Sequence, residues 1–189
     1  MKSLKILGPA LLAVVGLLAW AGGASATTLT SPTGTTYTGE IEFQSQGHVV
    51  THNPIAKVEC ASTFRFAVQT HGSGVTAGGN VTHMVTGPCT NSWHVTVVSM
   101  GSIFFHWTSG YNGTVTSSGM TVEKTRFGIT CRYATSNTTI GTITGGSPAT
   151  LDASGSLPFH SGSPLCGEGA TTSTGSYKLT SPSTLLVDP

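Results

Sequence analysis

Charged side chains are scarce in this sequence. Asp, Glu, Lys and Arg make up 8% of the 189 residues, against about a quarter in an ordinary soluble domain. No cluster of Lys and Arg is present, so the electrostatic footprint that holds nucleic acid or an anionic membrane surface is missing, and neither is expected as a partner. After the first 26 residues no apolar run is long enough to span a bilayer, and no window shows the 3.6-residue periodicity of an amphipathic helix. Cys-x-x-Cys pairs are also absent, which argues against zinc ribbons and redox motifs, since both draw two sulfurs from one turn. The chain lacks a Gly-x-Ser-x-Gly elbow, a His-Glu-x-x-His helix, an Asp-rich calcium loop and a phosphate-binding Gly loop. No catalytic residue, no cofactor and no ligand-binding residue is assigned from these absences.

What is present begins with the first 26 residues. A cationic head, Met1-Lys2-Ser3-Leu4-Lys5, leads into an apolar run over 6–20 and then small residues ending in Ala24-Ser25-Ala26. This is the pattern of a secretory signal peptide over 1–26, leaving a single exported domain over 27–189 in the extracellular or periplasmic space. No Cys follows the cleavage site to accept a lipid, so release is expected in place of a stable membrane anchor. Lys2 and Lys5 leave with the leader, which takes eight cations to six against seven acids, a net charge of −1.

Apolar residues form 38% of the chain, too many for a disordered stalk. Thr, Val, Ile and aromatics are spread throughout, and 25 Gly with 9 Pro punctuate them. Strand formers between frequent turns predict an all-β fold, an antiparallel β-sandwich of the Ig-like or Greek-key kind. The clearest strand covers 56–68, where Val58, Cys60, Phe64, Phe66 and Val68 share one parity and Lys57, Glu59, Thr63 and Arg65 the other. Phe127, Ile129, Cys131 and Tyr133 repeat that arrangement. A hairpin is expected between 93–98 and 102–108, with Trp93 opposite Trp107 and His94 opposite His106.

Four cysteines, Cys60, Cys89, Cys131 and Cys166, suit an oxidising compartment and predict two disulfides, for which three connectivities exist. The sequential pairing, Cys60 with Cys89 and Cys131 with Cys166, is favoured because two halves look alike. Tyr37-x-Gly39 leads to Cys60 and Tyr111-x-Gly113 to Cys131, and each first Cys is followed by a Gly-Gly turn, at Gly78-Gly79 and Gly145-Gly146, before its second.

Seven His stand out among so few charges. His is the commonest metal ligand, and the expected hairpin would set His94 and His106 close enough to share an ion. Glu40 and Glu42 share a strand parity, as a carboxylate pair would, although two exposed acids in such a position are ordinarily just solvated. Trp93, Trp107, Tyr111 and Tyr37 would make a sugar-stacking platform only if they faced outward, and the hairpin register puts both Trp inside.

From 105 onward the chain carries the segments His106-Trp107-Thr108-Ser109-Gly110, Asn112-Gly113-Thr114-Val115-Thr116-Ser117-Ser118-Gly119 and the stretch from Gly141 to Asp152, followed by Leu165-Cys166-Gly167 and Thr174-Gly175-Ser176-Tyr177. In these segments it resembles a family of secreted bacterial proteins of unknown function, of the kind numerous in actinobacteria. The resemblance implies export and a β-rich fold, and brings no substrate. The sequence thus reads as a secreted, disulfide-stabilised β-sandwich with a non-enzymatic binding or structural role in the extracellular space or cell envelope, as a surface or matrix component. Two rival readings are a secreted hydrolase or His-based metal-binding protein, and a self-assembling adhesive subunit that adds neighbours at Thr-rich strand edges.

Overall fold

The computed structural model describes residues 26–53, 55–70, 76–167 and 169–189. The leader read from the sequence lies outside the described residues except for Ala26, so its role as a signal peptide stays an expectation. Fifteen strands, every pairing antiparallel, and two short 3-10 turns account for the regular structure, with no α-helix among the described residues.

Nine strands share one sheet: β2 (Glu40–Ser45), β3 (Val49–Asn53), β4 (Ala56–Thr70), β5 (Ala77–Cys89), β7 (Ser102–Ser109), β8 (Asn112–Ser118), β11 (Thr138–Thr144), β12 (Thr150–Leu157) and β14 (Thr171–Ser181). Its order runs β12-β11-β8-β7-β5-β4-β2-β14, and β12 pairs again with β14, so the sheet closes into a barrel of eight positions. β3 continues β2 in the same slot of the wall, between β4 and β14, after a bend at Gln46 and Gly47. The all-β, antiparallel expectation therefore holds, while the larger sheet is a barrel where a two-layer sandwich was expected. With β2 and β3 taken as one position, each position pairs with the next in the chain, and right-handed twist accumulated over eight positions brings the two edges together.

Alternation decides what lies inside. Ile41, Phe43, Phe64, Phe66, Phe105, Val115, Ile143, Leu151 and Leu179 point to the axis and are buried, while their neighbours on the other parity are mostly hydroxylated or charged. Phe64 stacks on Phe43 with ring centroids 5.4 Å apart and meets Tyr177 edge-on at 5.2 Å, and Phe66 packs on Phe105 at 5.3 Å. Each such side chain contributes roughly 2 to 3 kcal/mol by leaving water.

Three of the connections between barrel strands contain further strands. β6 (His94–Ser99) lies between β5 and β7, β9 (Thr121–Arg126) with β10 (Ile129–Ala134) between β8 and β11, and β13 (Phe159–Gly162) between β12 and β14. All leave from one end of the barrel, since the start of β7 pairs with the end of β8, the end of β8 with the start of β11, and the end of β12 with the start of β14. They join as a four-stranded sheet, β13-β10-β9-β6, that covers that end as a lid. β1 (Thr28–Thr30) and β15 (Leu186–Asp188) pair with each other and, with Leu185, bury Leu29 and Val187 in the main core, closing the opposite end.

Both disulfides belong to the lid end, and their pairing is the sequential one. Cys60 and Cys89 are direct cross-strand partners on β4 and β5, packed with Val58 and Trp93. Cys131–Cys166 ties β10 to the 3-10 turn Pro164–Cys166, beside Tyr133, Leu157 and Phe159. The two halves that suggested this pairing do not form separate units, because strands from both build one barrel. Gly145-Gly146 does lie in the connection from β11 to β12, but Gly78-Gly79 is no turn. It stands inside β5, squeezed between β4 and β7, and a Cβ on Gly79 would lie 1.8 Å from the Ala67 carbonyl oxygen.

Two other expectations are corrected. β6 does not pair with β7; it pairs with β9, setting His94 against Thr125, while β7 lies between β5 and β8. A three-residue loop permits a hairpin, but the β7 edge gains more from joining the barrel wall. Phe127 is not an inward strand residue: it sits at φ +49° in the turn before Gly128, 83% exposed, with the Arg126 guanidinium over its ring.

Replacing Cys131 and Cys166 together with Ala should lower stability by roughly 3 to 4 kcal/mol, the value for a loop of some 35 residues, as read from urea denaturation against the parent chain. Gly79→Ala should cost about 3 kcal/mol or more by forcing β4 away from β5, whereas Gly34→Ala, in open space at φ +76°, should cost about 1 kcal/mol.

Candidate functional site

Toward the lid the barrel side chains become small. Gly141, Ala153 and Gly175 stand side by side on β11, β12 and β14, and the inward positions of β12 run Leu151, Ala153, Gly155. Large residues fill the plugged half of the barrel, so space remains in the other half. A chamber of about 130 Å³ lies there, between barrel wall and lid. Phe64, Met84, Ile103, Ile140 and Leu151 line it from the barrel, and Val95, Val97, Met120 and Val122 from the lid and its connections. Eight strands enclose an interior just wide enough for packed side chains or for one small ligand.

Thr86 and Ser173 also line the chamber, and two bonded polar groupings interrupt its apolar surface. Deep in the barrel the Ser62 and Tyr177 hydroxyls share a hydrogen bond of 2.6 Å, and burial raises the Tyr177 pKa against the opposing pull of that bond. At the lid stands Lys124, 1% exposed, the one Lys or Arg buried among the described residues. Its ammonium donates to Thr51 Oγ1 at 2.8 Å and to Thr171 Oγ1 at 2.7 Å, and lies 5.2 Å from the centre of the Tyr133 ring. Thr171 passes the bond on by donating to the His52 carbonyl at 2.8 Å. No carboxylate pairs with the ammonium among the described residues. Desolvation without a counter-ion lowers the Lys124 pKa to about 8.

Local sequence explains the placement. β9 reads Thr121-Val122-Glu123-Lys124-Thr125-Arg126, and its parity puts Val122 and Lys124 on the side facing the barrel while Glu123 faces out and binds Arg132 at 2.7 Å. A lysine two residues from Val122, on the same apolar parity, was the available signal.

The residues singled out from the sequence lie elsewhere. His94 is exposed on the lid, and His106 is on the barrel wall with Nε2 2.9 Å from Thr116 Oγ1 and its pKa lowered by burial. The pairing that would have juxtaposed them as metal ligands is not made, and no three His, Cys, Asp or Glu side chains gather among the described residues. Glu40 accepts from Thr82, and Glu42 from Arg65 and Thr180, both on the outer wall. The Thr180 hydroxyl, then Arg65, lowers the Glu42 pKa. Trp93 is buried at the lid end, while Trp107 donates through Nε1 to the Gly110 carbonyl and Tyr111 is exposed, so no aromatic platform assembles.

Comparison of the chain with protein-family models, with curated proteins and with solved structures finds no match.

The folded Lys124 amine loses its proton near pH 8 and the unfolded one near 10.5. Between those values the folded state binds fewer protons, so the cost of burying the ammonium is fully present below pH 8 and is relieved as pH rises toward 10.5. Lys124→Met removes that cost. The stability of this variant relative to the parent should therefore fall by roughly 2 to 3 kcal/mol between pH 7 and pH 10, measured by urea denaturation of both proteins at each pH.

Proposed function

We propose that this protein is exported and acts without catalysis, binding a small apolar molecule in the chamber under the lid. The chamber itself carries the reading. Its surface is mostly aliphatic and aromatic, and the Ser62, Tyr177, Thr51, Thr171 and Lys124 polar groups in its lining are already bonded to one another. An engineered apolar cavity of about 150 Å³ takes up benzene, and this chamber is of similar size, which sets the ligand at one small ring or a short chain. Export is supported by the leader pattern and by two disulfides at the lid end, which are stable in an oxidising compartment. A place in the cell envelope or the surrounding medium follows from the same features, and the bacterial family that the C-terminal half resembles would supply the setting. Among the described residues no helix is long and apolar enough to cross a membrane. Closure of the barrel also removes the long Thr-rich edges on which a self-assembling subunit would depend.

The test is direct binding of neutral probes, benzene and 1-hexanol, by calorimetry or amide NMR titration. The parent chain should bind, and Ala153→Leu, which extends a side chain into the chamber, should weaken binding at least about tenfold while holding or raising the unfolding temperature. A parent that binds neither probe, or an Ala153→Leu chain that binds as well as the parent, would sink the reading.

A further inference from the structure

Resting on the chamber reading, we infer that the molecule held there bears a single carboxylate, and that Lys124 is its charge partner. A buried ammonium is costly unless an anion accompanies it. The acids of the described residues are engaged or turned away: Glu40 on Thr82, Glu42 on Arg65, Glu59 on Lys57, Glu123 on Arg132, Asp188 on Thr30, and Asp152 exposed on the outer parity of β12. What Lys124 has instead is two neutral hydroxyls, which orient the ammonium without neutralising it. An ammonium has three N–H donors; Thr51 and Thr171 take two, and the third has no acceptor among the described residues. Lys124 and both of its threonine partners are among the residues lining the chamber, so a ligand there meets a mostly apolar wall and, at the lid end, the residues that hold the cation.

Charge balance selects the head group. One ammonium neutralises one carboxylate, whereas a doubly charged phosphate monoester would leave a negative charge buried and unpaired. A primary amine on the ligand would repel Lys124. A neutral alcohol of the same length would fill the chamber equally well but, like the Thr51 and Thr171 hydroxyls, would accept from the ammonium without neutralising it. Chamber size confines the class to short acids, such as a six-carbon aliphatic acid or a single-ring aromatic acid. The other groups facing Lys124 are Tyr133 from β10, whose ring lies by the ammonium, and Thr51 and Thr171 from the wall; Arg126, two residues along β9, is the remaining cation on that strand.

Hexanoate, 1-hexanol and hexylamine, titrated into the full exported domain at pH 7, separate this inference from the reading beneath it. Hexanoate should bind about tenfold or more tighter than 1-hexanol, the margin of a charge-assisted bond, and hexylamine should bind more weakly than either. In Lys124→Met the advantage of hexanoate over 1-hexanol should vanish, hexanoate losing at least about tenfold more affinity than the alcohol does; Lys124→Gln should behave likewise. If the parent binds 1-hexanol but shows no preference for the acid, or if the preference survives in both variants, the carboxylate assignment is wrong and the chamber reading stands. If the parent binds none of the three, both are wrong.

Discussion

Everything in this structure depends on the second pairing of β12, which joins β14 as well as β11 and so closes the sheet on itself. Closure satisfies the backbone donors and acceptors that an open edge would leave exposed, and it turns one parity of every wall strand toward a common axis. The wall's outward parity is rich in Thr and Ser, with Glu42 and Arg65 paired among them, so solvent wets the outside while Phe, Ile, Val and Leu fill the inside. A closed tube has two ends, and the remaining elements serve them. β1 and β15 bring Leu29 and Val187 into one end, and strands inserted into three connections assemble over the other.

The lid is the less self-sufficient part. A four-stranded sheet contributed by three separate chain excursions has little continuous chain to hold it together, and here the covalent links concentrate. Cys131–Cys166 anchors the turn after β13 to β10, and Cys60–Cys89 fastens the ends of the long β4 and β5 pair beside Trp93. Beneath this stapled cover lies the chamber of about 130 Å³. Within it, Lys124 is kept at a cost in stability, held by two threonine hydroxyls and a tyrosine ring and by no acid of the described residues. A desolvated ammonium with no acid beside it among the described residues is what the proposed role as a charge partner would use.

Much of the wall was legible because strand parity is a local property. The segment 56–68 reads inward and outward correctly from its own residues, and Cys60 is inward for the same reason that Phe64 is. The 93–108 hairpin was misread because a short loop and matching apolar residues permit a local pairing that two non-local ones outcompete. Phe127 was misread because parity says nothing about where a strand stops, and a left-handed turn intervenes. Gly78 and Gly79 looked like a turn because glycine marks both turns and close strand approaches, and only the neighbouring strands tell them apart. Lys124 was hidden by the same limit: its parity was readable, but which body its inner face would meet was not.

The amino-acid sequence by itself determined an all-β chain of alternating apolar and hydroxylated residues, its cysteine count suited to an oxidising compartment, and the sidedness of its best strands. Those are consequences of side-chain chemistry and of a two-residue period, both carried within a few positions. Only the tertiary structure decided that the sheet closes, that three connections meet as one lid, and that a lysine on the second of them is shut in against two threonines from distant strands. Such outcomes come from competition among pairings far apart in the chain, where the total surface buried and the total backbone bonds satisfied select the winner.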